Sequence, residues 1–328
     1  MRIGVHLRHW EGSPHDVAGL AKRAEDAGLE SVWVSETWGS DATILAAWIA
    51  AHTSRIAIGT GVLQMPARTP AAAAMAALTL DHLSAGRLRL GLGVSGPQVV
   101  EGWHGVPFAS PLARTREYVT LVRAALARRE PLTLDGEVYR LPVPGGPGRP
   151  LKANVKPLRA EVPIYLAAMG PRNVALTAEI ADGWLPLLFC PEHVDVFGLP
   201  SMPAAFDIAP MVLTAIGEDL AASRDAVRPQ IALYVGAYGT KTRNFYADMV
   251  RRYGFEAEVD RVQDAALGRR MPDAVASVSD AMVDALALVG PPGRVRERML
   301  AYAEAGATSL LAMTTDAATI EAMAKVAT

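Results

Sequence analysis

The sequence predicts an α/β protein, a (β/α)₈ TIM barrel with insertions. Three observations carry that expectation. Eight strand-like runs recur along 328 residues, with helix-like runs alternating between them. The first four units are joined by short loops, which forces parallel pairing with right-handed crossovers. A length of 328 residues suits one barrel, although about 150 residues per domain would also allow two.

The elements follow in order. Residues 2–8 (RIGVHLR) alternate as a strand, and 14–27 form a helix with Ser13 as N-cap, Pro14 at the first helical position and Gly28 just past the end. SVWVSE (31–36) is the second strand. Asp41 then caps an apolar-periodic helix ending near His52. IAIGTGVL (56–63) is the third strand, Thr69-Pro70 opens an Ala-rich helix to Leu83, and RLRLGLGV (87–94) is the fourth strand. A helix at 114–128 leads to a hairpin-like pair around Asp135-Gly136. The stretch from Pro142 to Pro163, with six prolines and three glycines, reads as an inserted ordered loop or lid. The alternation resumes with a strand at 163–169, a helix at 171–181 and strands at 183–189 and 208–216. Residues 218–288 read as a helical insertion. GPPGRVRERMLAYAEAG is a helix, TSLLAM (308–313) a strand, and a terminal helix closes the chain. The predicted organisation is a single barrel over 1–328 carrying the 142–163 loop and the 218–288 insertion.

Composition excludes several function classes. Lys plus Arg number 32 against 34 Asp plus Glu, a net charge of −2, so the basic stripe that phosphate-backbone binding needs is absent and nucleic acid is not an expected partner. The one cysteine, Cys190, forms no intrachain disulfide, which fits a reducing compartment. The chain opens without a leader pattern, and its most apolar stretches, ILAAWIAA and AAAAMAAL, are too short to span a membrane. The expectation is a cytoplasmic protein with no membrane partner. His6, His9 and His15 cluster in sequence, but no carboxylate or thiolate completes a metal set, so no metal site is expected. No Gly-x-Ser-x-Gly elbow supports a hydrolase.

In a barrel the chemistry sits at the carboxyl ends of the strands, here residues 8–11, 36–38, 60–64, 95–104, 170–173 and 186–189. Gly91, Gly93 and Gly96 match the spacing of a dinucleotide fingerprint. The following PQVVEGWHGVPF holds two prolines, however, and is not expected to open the helix the fingerprint requires. The glycines instead let backbone approach a flat ligand, with Ser95 and Gly96 offering hydrogen bonds. Gly170, Pro171, Arg172 and Asn173 stand where a strand meets a helix; they make either an anion site or a plain βα turn. Glu36, next to Trp38, is either a solvated loop acid or a general acid, since a dry site beside an aromatic favours the protonated form. His104 in Gly-Trp-His-Gly is a second proton candidate or a structural loop histidine. Trp33, Trp48 and Trp184 read as core. Arg149, Lys152, Lys156 and Arg159 read as a solvated face or as steering for an anionic ligand.

SVWVSETWGSDA, IGTGVLQMPARTP, LDHLSAGRLRLGLGVSGPQVVEGWHG, PLARTREYV, IYLAAMGPRNVALTAEIADGW and LVGPPGRVRERMLAYAEAG, in this order and spacing, resemble the luciferase-like family of flavin and deazaflavin enzymes. The likeness is strongest to its coenzyme F420-dependent oxidoreductases of actinobacterial type. The resemblance implies a barrel, usually a homodimer; the alanines at 71–74, 76 and 77 are small enough for two helices to approach. It implies that Gly61, Val62 and Leu63 form a bulge under a tricyclic ring, with a non-prolyl cis peptide. Ser95 and Gly96 would border that ring, and Gly170 to Asn173 would take the cofactor phosphate. Trp38 would join the cofactor-binding residues and, with Trp103, wall the substrate. Glu36 holds the place where some members carry His or Asp. Arg68, Arg149 and Lys152 would meet the acidic tail of the cofactor at the mouth. The implied activity is hydride transfer between the deazaflavin C5 and a C=C, C=N or C=O of a small organic substrate, with Glu36, alone or with His104, moving the proton. The alternatives are an FMN-dependent monooxygenase using reduced flavin and O₂, and a non-catalytic flavin or deazaflavin binder.

Overall fold

Aliphatic runs bounded by glycine or polar turns fold as short strands that are buried on nearly every residue, as parallel strands covered by helices must be. In this computed structural model, which describes residues 1–7 and 14–326, eight of them form the barrel. They are β1 (Arg2–Leu7), β2 (Ser31–Val34), β3 (Ala57–Thr60), β4 (Leu88–Gly93), β5 (Ile164–Leu166), β6 (Gly183–Trp184), β7 (Met211–Ile216) and β8 (Ser309–Met313). Each pairs in parallel with its neighbour from β1 through β6, and β8 pairs with both β7 and β1. The ring closes through residues 207–211. On one side Ala209 N–H donates to Trp184 O at 2.9 Å and Met211 N–H to Pro186 O at 2.9 Å; on the other Leu311 N–H donates to Pro210 O at 2.8 Å.

The main covering helices are α1 (Val17–Asp26), α2 (Ala42–His52), α3 (Pro70–Leu83), α4 (Pro111–Ala127), α5 (Pro171–Ile180), α6 (Leu220–Ala232), α7 (Pro292–Glu304) and α8 (Ala317–Val326). Their starts follow local chemistry. Asp41 accepts from Thr43 N–H at 2.7 Å, and Thr69 accepts from Ala72 N–H at 3.2 Å with Pro70 behind it. Gly28, past the end of α1, takes φ +85°. Inside the barrel Gly59 has no room for a side chain, because a Cβ there would lie 2.1 Å from the Trp33 ring.

Several expectations need correction. Val17 rather than Pro14 opens the regular turns of α1, after a 3₁₀ turn at Pro14–Asp16; Ser13, His9 and the strand end at 8–11 lie outside the described residues. Pro97–Gly102 is a short helix with Gly96 as its N-cap, although no helix was expected there. Proline fits the first helical position, where a missing N–H costs nothing. Ala287–Gly290, whose first two residues were expected within the helical insertion and whose last was expected to open the next helix, is a strand that pairs in parallel with β7, because its buried aliphatic residues complete that sheet edge. Trp48 is 39% exposed, packed beside His15 and His52 rather than in the core.

The 142–163 stretch has no regular structure and begins at a cis Leu141-Pro142 bond. It lies at the amino ends of the strands and not over the mouth. The Arg159 guanidinium binds the Asp81 carboxylate and Leu88 O, Lys152 Nζ donates to Arg129 O, and Arg128 Nε donates to Ala153 O. Lys152 is therefore at the floor of the barrel, far from a cofactor tail at the mouth.

Candidate active site

At the carboxyl ends of the strands a cavity of about 670 Å³ opens, within the size of ordinary cofactor and small-molecule sites. Its base is built by the end of β3. Thr60 Oγ1 donates to Gly91 O at 2.8 Å and accepts from Gly91 N–H at 2.9 Å, an approach that works because a Cβ on Gly91 would sit 1.9 Å from Thr60 O. The chain then turns through a cis Gly61-Val62 bond, and Leu63 and Gln64 pair with the end of β4. His6 Nε2 lies 2.9 Å from Gly61 O and 2.7 Å from Ser35 Oγ, so an imidazole on β1 holds the turn from beneath.

Two carboxylates and one guanidinium brace the next wall. Arg68 donates to both Glu36 oxygens, at 2.8 and 2.6 Å, and to Asp41 at 3.2 Å; Glu36 Oε2 also accepts from Gln64 N–H at 2.8 Å. Burial opposes the Arg68 charge, but the hydrogen bonds and charge of Glu36, aided by Asp41, outweigh it and raise its pKa. Arg68 is thus not at the mouth to meet an acidic tail; the nearby carboxylates hold it in the wall.

Ten of the twelve residues singled out from sequence line this one cavity: Glu36, Trp38, Gly61, Val62, Ser95, Gly96, Gly170, Pro171, Arg172 and Asn173. Ser95 turns the chain with φ +60°, and Gly96 and Gly170 have no atom within 4 Å of where a Cβ would stand, leaving open backbone. Gly170 is the N-cap of α5 and supplies no side chain to its first turn, so the helix start, with Arg172 beside it, can receive an anion. Two residues are placed elsewhere. Leu63 is buried in the core, because residues alternate sides and its neighbour takes the cavity. His104 lies beyond the Pro97–Gly102 helix, tied to Val99 O through its backbone N–H, and does not reach the wall. Trp103 is 64% exposed and also off the wall.

The sequence reading missed Gln64. It is buried in the cavity wall, and neither its Oε1 nor its Nε2 has a partner among the described residues. An amide inside the apolar run GVLQMP was the available signal. It also missed an aromatic cluster from the insertion, Tyr234, Tyr238 and Tyr246, which packs on Trp38 through Tyr238 at 5.5 Å between ring centres. Nothing local marks those tyrosines as lining a barrel mouth.

A family model described as luciferase-like monooxygenase matches residues 1–309. A Mycobacterium tuberculosis protein bearing the name of a coenzyme F420-dependent oxidoreductase is 44% identical over 327 residues, covering 95% of this chain and 94% of its own. Among solved structures, the coenzyme F420-dependent tetrahydromethanopterin reductase from Methanopyrus kandleri superimposes with a TM-score of 0.85 at 21% identity, covering 99% of this chain and 97% of its own. An F420-dependent secondary alcohol dehydrogenase in complex with an F420-acetone adduct gives 0.78 at 18% identity, with coverages of 99% and 97%. At these identities the two structures show likeness of fold. Among the described residues no helix is long and apolar enough to cross a membrane.

Proposed function

The chain belongs to the luciferase-like monooxygenase family, and on that premise we propose that it is an oxidoreductase working with coenzyme F420, moving a hydride between C5 of the deazaflavin and a polarised C=C, C=N or C=O of a small organic substrate. The observation that carries this reading is the Gln64 amide. A buried amide without partners costs about 1–3 kcal/mol, and a flat heterocycle edged with carbonyl and N–H groups would supply both the donor and the acceptors it lacks.

The coenzyme, when bound, supplies the hydride chemistry. The protein supplies placement. Ser95 and Gly96 admit the ring against open backbone, and Gly170 to Asn173 with Arg172 would hold the phosphate. The Glu36–Arg68 pair fixes the backbone that carries Gln64, so Glu36 enters as a positioning residue.

Titrating F420 and FMN separately into the protein, followed by cofactor fluorescence, tests the reading. F420 is expected to bind and FMN only weakly, turnover is expected to persist without O₂, and Gln64→Leu is expected to weaken F420 roughly tenfold, as loss of one or two hydrogen bonds does, with Tm unchanged or raised. Tight FMN binding with strict O₂ dependence would overturn the assignment in favour of a flavin monooxygenase. F420 binding with no hydride transfer to any carbonyl, imine or enone would make the chain a binder only.

A further inference from the structure

The cavity holds a second cation besides Arg172. Arg243 lines it, and its guanidinium makes no hydrogen bond or ion pair among the described residues. Among the described residues Glu36 is the one carboxylate in the lining, and it is already matched by Arg68. Among the described residues Arg172 and Arg243 therefore remain as two positive groups without anionic partners, one at the start of α5 and the other in the insertion that follows β7.

The insertion sets the Arg243 backbone beside an aromatic wall. Pro229 lies inside the last turn of α6, and beyond Ala232 the chain widens into a π turn at Leu233–Ala237 that brings Tyr234 and Tyr238 to the cavity. Asn244, buried, ties this turn to the next helix: its amide donates to Tyr234 O at 3.0 Å and Val235 O at 2.9 Å, and its oxygen accepts from the N–H groups of Tyr246 and Ala247, both at 3.0 Å. Arg243 is the residue before it, closed into a turn by reciprocal backbone bonds with Thr240 at 3.2 Å. Tyr238 and Tyr246 meet edge to face at 5.7 Å, and Trp38 from the barrel completes the wall against Tyr238.

Resting on the oxidoreductase reading, we infer that Arg243 and the Trp38–Tyr238–Tyr246 wall form the substrate subsite, and that it selects flat, largely apolar molecules carrying one carboxylate. The aromatic rings take the flat body, and the guanidinium at the mouth takes the acid group by a charge-assisted, bidentate pair.

The test compares 2-naphthoate with its neutral counterpart 2-naphthalenemethanol by calorimetric titration at low salt, on the protein alone and on the protein saturated with F420. Naphthoate is expected to bind roughly tenfold or more tightly than the alcohol in both states, as hydrogen bonds to a charged group allow. Arg243→Gln is expected to erase that preference while leaving alcohol binding and Tm as in the wild type. Arg172→Gln is expected to keep it, and Tyr238→Leu to weaken both probes together. No preference in the wild type, a preference that survives Arg243→Gln, one lost in Arg172→Gln, or displacement of naphthoate by F420 would each overturn the subsite. Failure of F420 to bind would strike the coenzyme reading alone, since the Arg243 dependence is read directly on the protein without it.

Discussion

Glu36 was legible as a strand-end acid next to Trp38, but what it does is decided by residues 28 and 32 positions away. With both oxygens accepting from Arg68 and one from Gln64 N–H, it acts first as a brace. Removing one partner of a buried pair leaves the other unmatched, at a cost of about 3–5 kcal/mol when fully dry and less here, because Asp41 still faces Arg68. Glu36→Gln is therefore expected to lower Tm and weaken F420 together, and the Glu36→Gln, Arg68→Met double variant to recover part of both in a double-mutant cycle. Unchanged Tm with at least a tenfold loss of turnover, and one limb missing from the pH profile, would instead make Glu36 the proton carrier. Cys190 offers a simpler case. Burial, reinforced by a hydrogen bond to Glu192 and its charge, pushes the thiol up to about 12, so the folded protein is expected to resist a thiol reagent that modifies it once unfolded. Rapid labelling of the native protein would contradict that.

At the scale of elements, helix starts were the most readable feature, because a cap is a contact between residues two or three apart. Asp41 and Thr69 cap as expected, and the open start of α5 follows from Gly170-Pro171. Arg172→Ala is expected to weaken F420 by about 1–3 kcal/mol, with the difference shrinking in high salt. Equal affinities would move the phosphate elsewhere. The packing of α1 on the loop before β3 was not readable. Glu25 is buried, and although burial opposes its charge, the N–H groups of Ile56, Arg55 and Ser54 hold its carboxyl at about 2, against an ordinary 4.5. A depressed carboxyl stabilises the fold fully above its unfolded value and loses that contribution as pH falls through the folded one. About 3 kcal/mol is thus expected to disappear between roughly pH 4.5 and 2, and Glu25→Gln to flatten that part of the stability curve measured by denaturant unfolding. An unchanged slope in the variant would assign the acid sensitivity to other groups.

For the whole molecule, the alanine run suggested a surface for self-association, and the burial pattern moves that surface. Ala73, Ala74 and Ala77 face the core, so a charge at Ala74 would unfold the barrel rather than report on assembly. The outer faces of α2 and α3 instead expose Ile44, Trp48 and Met75. A homodimer through these neighbouring helices is the proposal, and Ile44→Glu with Met75→Glu is expected to give monomers by light scattering at an unchanged Tm. A wild-type protein already monomeric at micromolar concentration would refute it.

By itself the sequence determined the barrel, its eight strands and the strand-end loops from β2 to β5 that line its mouth, because strand and helix periods, caps and short βα connections are encoded within a few residues. Only the closed ring decided which of those loop residues face the cavity. Past the cis turn the alternation puts Leu63 inward and Gln64 on the wall, while His104, equally close in sequence to a strand end, is carried behind a short helix. Arg68 reaches Glu36 across 32 residues, and Tyr238 reaches Trp38 across 200, contacts that no local pattern specifies. Periodicity records which side of an element is buried; the partner across the cavity is set by closure of the barrel.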